Sequence, residues 1–492
     1  IAAPQINALK SYYQSQVKGS ASANPSYIGT GGGLFANNIY AGPYKTPYSI
    51  QYNGGIQHEF GKGIIFSADY LHNSTLKIPL SVDVNRDGAS NTLNTAAAQN
   101  AIATTLAPNA AANYAGYPMC PQGYSAAAIN CAIANGATIQ DFASNGLDSG
   151  ATYFGGVPAS VAGLTPSTGA AFPGVNPNVG QGLFILPIGR SGYDAAQFVL
   201  QEQRAHPMPG IVNSNFQIAY SFSRIVSSTG APNALSTSVS DQFFGGARPW
   251  NNDNPNLYMG RNDLDHTNEL SLGGSFTVKY GAQIGLVGHF FSAPASTLTL
   301  DSSAGATAQI FQTDTDGDGT FGDLAPGTNP GYYMHQVKGG KSLNTLINNY
   351  NQQYAGQLTP AGQALVNAGL FSPGQLSALG GVQQALASAP SNPLQNAAFR
   401  TFDLSVHYPI SLSKVREGMS LLPGVSFYNL FNMSNFSPFG GMLLNTADAG
   451  TPGFLNGPSN QSVLDTNRVQ RASGTFDAGG PRTTEFQLKL NF

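Results

Sequence analysis

The chain has 492 residues, only 9% of them charged, and a formal net charge of −3. Its polarity rests on uncharged amides and hydroxyls, unlike a soluble surface rich in Lys and Glu, and no basic run is present for a nucleic-acid partner. No apolar stretch approaches the ~20 residues of a membrane-crossing helix, so any passage through a bilayer must be made by strands.

The first alternating segment runs from Tyr48 to Phe60, where Ile50, Tyr52, Ile56 and Phe60 oppose Gln51, Asn53, Gln57 and Glu59. A period of two is a strand with one apolar and one polar face. The turn Gly61-Lys62-Gly63 leads into a second strand, Ile64–His72. A long connection follows, about residues 73–192. Asn94 there is placed to cap a helix over Ala96–Leu106, and Ser125 another over Ala126–Asn135. Asp83, Asn85 and Asp87, followed by Gly88, have the alternate spacing of a calcium loop but no acidic twelfth residue. Cys120 and Cys131 are expected to pair in an oxidising compartment, the alternative being two unpaired thiols; two cysteines alone fall short of a zinc set.

Tyr193–Arg204 and Phe216–Val226 are the third and fourth strands. Thr267–Tyr280 is the cleanest: Leu270, Leu272, Phe276 and Val278 face one side and Glu269, Ser271, Ser275 and Thr277 the other. Gly281-Ala282-Gln283 turns the chain into Ile284–Ser292. The next connection, about residues 293–398, holds Asp314, Asp316 and Asp318 at alternate positions, with glycine at the sixth. Three converging carboxylates suit a hard cation; Ala325 stands where a bidentate Glu belongs, and Asp323 is the substitute. The expectation is a weak calcium site, weighed against a solvated acidic turn. Thr359-Pro360 and Ser372-Pro373 are cap-plus-first-turn signals opening helices over Ala361–Ala368 and Gly374–Leu379. Phe399–Pro409, Leu421–Phe431 and Arg482–Phe492 complete nine strands, the last ending on an aromatic as a closing barrel strand does.

Between these strands the gaps are about 3, 120, 10, 39, 3, 106, 11 and 50 residues. Short and long alternate throughout, the pattern of a barrel with short periplasmic turns and long extracellular loops. Tyr48, Tyr70, Tyr220, Tyr280, Tyr408 and Phe492, near strand ends, read as interface girdles. The fold class expected is all-β: the C-terminal part of a transmembrane antiparallel β-barrel, about nine strands, with long, partly helical extracellular loops. A periplasmic C-terminus leaves residues 1–46 as an incomplete extracellular loop. An odd strand number then predicts at least one strand upstream of Ile1, because single-chain bacterial barrels have an even count.

Five segments carry a family resemblance: Lys45–Phe60, Leu264–Ser271, Asp316–Asp323, Val425–Asn432 and the terminal strand. In this order they resemble the TonB-dependent receptor barrels of the Oar-like kind, over roughly residues 45–492. The resemblance implies a receptor with a carboxypeptidase-regulatory-like domain, a plug and a barrel of about 22 strands. Neither plug nor TonB-contacting segment occurs in these residues, so TonB would be reached through a plug outside them. The function expected is the barrel portion of a receptor or transporter for a large or scarce ligand. The alternatives are a surface structural or adhesive barrel and a passive pore. The partners expected are outer-membrane lipid, the barrel-assembly machinery through the Phe492 strand and an extracellular ligand. No enzyme is expected: His266 lies beside Asp263 and Asp265, but no nucleophile sits on a glycine-bounded elbow.

Overall fold

The computed structural model describes residues 39–40, 45–61, 63–108, 115–149, 169–176, 182–228, 248–261, 265–302, 307–337, 339–389, 398–435, 442–447 and 480–492. Nine strands of nine residues or more are found among them: β1 Tyr48–Gly61, β2 Ile64–Asp83, β3 Leu183–Ala205, β4 Ile211–Ser227, β5 Asn268–Val278, β6 Gln283–Phe291, β7 Phe399–His407, β8 Ser420–Tyr428 and β9 Thr483–Asn491. Each expected strand is present, and each pairs antiparallel with the next in sequence. The result is one meander with β1 and β9 at opposite ends; no register joins these two among the described residues.

Register carries the alternation across the sheet. Ile56, Ala68, Phe198, Tyr220, Leu270 and Phe290 form one cross-strand row on the apolar face. Phe66, Phe198 and Tyr220 stack along that face, with ring centroids 6.4 and 6.3 Å apart. Farther along, Ile284, Val406, Val425 and Phe486 make a second row. The opposite face carries Asp69, Gln197, Ser221 and Glu269 in one row. The apolar face is left bare: Ile56 is 72% exposed and Phe486 83%. In water this would be untenable; against hydrocarbon it is the outward face of a barrel. Five of the six girdle aromatics, Tyr48, Tyr70, Tyr280, Tyr408 and Phe492, are exposed, and Tyr220 is half-buried.

Charged residues bound the apolar belt. On the outward face of β3, Asp194 and Glu202 are separated by Ala196, Phe198 and Leu200. Eight residues of strand span about 26 Å at ~3.3 Å each, and a tilt of ~40° reduces this to about 20 Å across the bilayer. Leu272 lies in mid-belt, opposite Ile218 and Gly288. Leu272→Arg is expected to lower barrel stability by about 2–4 kcal/mol, measured by urea unfolding in lipid vesicles. A loss below about 1 kcal/mol would mean that this face does not meet hydrocarbon.

Two strands outrun their expected ends by about ten residues. β2 continues past His72 to Asp83 and β3 begins at Leu183 rather than Tyr193; the extensions pair with each other up to Asp83 and Leu183. Leu80, Val82, Phe184 and Ile185 are buried there, so the alternation that marks a half-exposed strand vanishes. Register shifts at Leu76, Ile78 and Pro79, with Lys77 at φ 60°, further mask the periodicity. The first long loop thus spans 84–182 rather than 73–192. The reading of residues 1–46 falls outside the described residues, apart from 45–46 and a two-residue strand, Ile39–Tyr40, running parallel to Phe184–Ile185.

The loops hold the molecule's main core. Helices α1 Thr95–Leu106, α2 Ala126–Ala134, α3 Ile139–Phe142, α4 Gly339–Gln353, α5 Pro360–Asn367 and α6 Pro373–Ala378 all lie in the two longest connections. The four expected caps form: Asn94, Ser125, Thr359 and Ser372 each accept from a backbone N–H three residues on. One apolar cluster combines Ile102, Ile129, Phe142 and Phe172 of loop 84–182 with Ile310, Phe311, Leu365 and Phe371 of loop 292–398. A second joins Leu300, Tyr333, Leu343, Ile347 and Tyr350 to Leu443 of the last loop. The long loops on this side therefore fold into one cap.

Candidate functional site

The cap is tied together at an acidic centre. Asp314, Asp316 and Asp318 bring one carboxylate oxygen each to within 4.8 Å of one another. Calcium binds oxygens at 2.3–2.6 Å, so two ligands on one ion lie at most about 5 Å apart, and this spacing fits. Asp314 Oδ1 accepts from Gly317 N–H at 2.6 Å and Oδ2 from Gly319 N–H at 3.1 Å. Asp318 Oδ1 accepts from the Thr320 N–H and hydroxyl at 2.7 and 2.6 Å. Asp323 turns one oxygen to the Thr315 N–H and hydroxyl and the other to the Thr320 hydroxyl, and stands outside the group of three.

The second acidic loop packs against the first. Ser90 N–H donates to the Gly317 carbonyl at 2.9 Å. Gly319 has φ +91°, and a Cβ there would meet the Asp87 carbonyl at 2.4 Å, so only glycine lets the two loops approach so closely. Asp83 has both oxygens occupied by the N–H groups of Asn85, Gly182 and Asp87. Asn85 spends its amide on Pro173 and Asn176. This loop is a hydrogen-bonded turn that closes the base of loop 84–182.

The residues that join the two loops were not expected. Asn252 Nδ2 donates to the Asp83 carbonyl at 2.7 Å and Oδ1 accepts from Asp83 N–H at 2.9 Å. Its own N–H donates to Asp318 Oδ2. Asn251 Nδ2 donates to Asp316 Oδ2 at 2.5 Å. The signal available was the amide-rich run Asn251, Asn252, Asn254 and Asn256, which by itself marks only a turn.

Charge makes the centre sensitive. Burial, then repulsion from Asp323, Asp318 and Asp316, pushes the Asp314 carboxyl well above the usual aspartate range. Asp323 is raised likewise, by burial and then by Asp316 and Asp318. Asp316 is raised to about 6 by desolvation and then by Asp318. These acids favour either protons or a cation between them.

Cys120 and Cys131 are joined, with Cα atoms 5.6 Å apart, pinning the turn before α2 to the helix itself. Gln375 of α6 reaches across to the Ala126 carbonyl and Asn130 Oδ1, so the clipped helix is also docked on the other long loop. Replacing both cysteines by serine is expected to lower local stability by about 2–3 kcal/mol. Faster proteolysis within residues 115–135 is the readout; an unchanged rate would mean that the docking alone orders this segment.

His266 and Asp265 have structural partners. His266 Nδ1 lies 2.5 Å from the Ser292 carbonyl. Asp265 pairs with Arg261, accepts from Ile225 N–H at 2.7 Å and faces His335 Nε2 at 3.4 Å. Asp263 lies outside the described residues.

A bare apolar belt, a polar inner face and a folded loop cap on one rim define an integral outer-membrane β-barrel protein. The sequence matches the outer membrane beta barrel domain family over residues 3–462, and the chain belongs to that family. Among curated proteins none matches. Among solved structures it is similar to the outer membrane transporter YddB from Escherichia coli, at 9% identity and a TM-score of 0.35. That likeness covers 83% of this chain and 32% of the other, so the chain spans about a third of that structure's length.

Proposed function

We propose that this chain is the barrel-and-cap portion of a TonB-dependent receptor that takes a large or scarce ligand from outside the cell. The observation that carries the reading is the cap: two connections of about a hundred residues each share one apolar core above a polar barrel face. Loops this long with their own core are built to recognise something, and a passive pore has no need of them. In this reading the cap is extracellular, the short turns and Phe492 are periplasmic, and TonB engages a plug encoded outside these residues. The acidic centre holds calcium weakly, in the extracellular range of ~10⁻⁴–10⁻³ M, and orders the junction of the loops.

The test is the complete reading frame followed by cross-linking of the intact protein in membranes. Capture of TonB through an N-terminal plug is the expected result. A bare barrel that conducts ions on reconstitution would mark a pore. A bare, non-conducting barrel that binds an external partner would mark an adhesin.

A further inference from the structure

The outward face changes character just beyond the apolar belt on the cap side. Arg224 stands directly opposite Asp194 at the belt's edge. Arg190 lies four residues beyond Asp194 on β3, about 10 Å farther out at the same tilt. Both guanidinium groups are on the outward face by register, since Arg190 pairs with Leu76 and Arg224 with Asp194, and both residues are exposed. The backbone of Arg190 is clamped: its N–H donates to Ser228 Oγ at 3.0 Å and its carbonyl accepts from Ser228 N–H at 2.9 Å. Lys77 follows Leu76, the register partner of Arg190, and its Nζ lies 4.9 Å from the centroid of the girdle residue Tyr48.

The nearby carboxylate is only partly committed elsewhere and competes for Arg224. Asp194 Oδ1 accepts from the Tyr70 hydroxyl at 2.8 Å and lies 2.7 Å from His72 Nδ1. Neither Arg190 nor Arg224 has an ion-pair partner among the described residues. Two arginines and a lysine therefore face the headgroup layer, continuous with the lipid-facing belt, with Asp194 the carboxylate set against Arg224. Guanidinium groups bind phosphate oxygens in a bidentate fork, and each basic group near an anionic lipid surface adds measurably to binding.

We infer that Arg190, Arg224 and Lys77 form a binding surface for the phosphorylated headgroup of a lipid in the leaflet on the cap side. The inference rests on the barrel, its belt and the extracellular placement of the cap proposed above, and holds equally for a pore or an adhesin. The experiment is native mass spectrometry of the intact outer-membrane protein in mild detergent, titrated with diphosphorylated lipid A or with phosphatidylcholine. The wild type is expected to retain lipid A over phosphatidylcholine. The R190Q/R224Q variant is expected to lose this retention about tenfold, and R190K/R224K to keep part of it. R204Q, on the opposite rim, is expected to bind as the wild type does. Equal retention by R190Q/R224Q and the wild type overturns the inference, as does an equal loss in R204Q. Displacement of lipid A by millimolar inorganic phosphate would make this a free-anion site and overturn the lipid assignment. Heat-modifiable migration reports whether each variant is folded. Should R190Q/R224Q not fold, D194N, which removes the competing negative charge, must raise retention; an unchanged value also overturns it.

Discussion

Phe311→Ala is expected to release the two long loops from one another while the barrel strands stay folded. Phe311 is fully buried and meets Phe172 edge to face, with centroids 5.9 Å apart. Phe172 belongs to loop 84–182 and Phe311 to loop 292–398, so this contact spans the cap's main seam. Removing a buried phenylalanine costs about 3–5 kcal/mol, through lost transfer energy and the cavity left behind. That is a large share of the 5–15 kcal/mol that holds a whole domain together. Both loops should become sensitive to protease at the same rate, while heat-modifiable migration of the barrel persists. Phe311→Leu, which keeps most of the volume, should recover much of the protection. If Phe311→Ala leaves both loops as resistant as the wild type, the seam is not what holds the cap.

The cap without calcium is expected to be more stable at pH 4 than at pH 7.5, opposite to a fold held by ion-paired carboxylates. Asp314, Asp316 and Asp323 have folded-state affinities for protons raised above the unfolded value. The folded cap then binds more protons than the unfolded chain as pH rises from about 4 through the raised values, and stability falls across that window. Above it the carboxylates are charged and repel one another. Millimolar calcium should restore protease resistance at pH 7.5 and have little effect at pH 4, where protons already do the same work. The D314N/D323N variant should be more resistant than the wild type at pH 7.5 in chelator, and indifferent to calcium. Proteolysis between Gln312 and Pro326 at equal rates with calcium and with chelator would mean that calcium does not order this buried turn.

The barrel was legible because its physics is local. One face of each strand meets lipid and the other does not, so Leu270, Leu272 and Phe276 alternate with Glu269, Ser271 and Ser275 whatever their neighbours are. The caps at Asn94, Ser125, Thr359 and Ser372 were legible for the same reason, each needing only three residues. Helix α4 was missed: Leu343, Ile347 and Tyr350 are buried at helical spacing, but its start lacks a cap residue and Asn and Gln dominate the rest. The extensions of β2 and β3 were missed because burial on both faces erases the period. The acidic loop 314–323 was visible as a motif, whereas its junction was not. Asn252 meets Asp83 and Asp318 only after three separate connections converge, and no spacing within any one of them encodes that.

The order of the chain gives the cap a role in insertion. Strands β3 to β6 lie between the segment that supplies Phe172 and the segment that supplies Phe311. Neither segment can bury its apolar side chains until those four strands have crossed the bilayer and delivered both to the same rim. Contacts between such distant parts of a chain form late. A pulse-labelled protein should accordingly become heat-modifiable before its loops resist protease, and the reverse order would contradict this sequence of events. Once the core has closed, withdrawing any of the four strands means tearing it open, which raises the barrier to extraction. The cap is thus a catch as well as a roof: it closes behind the strands that carried it through and leaves them no way back.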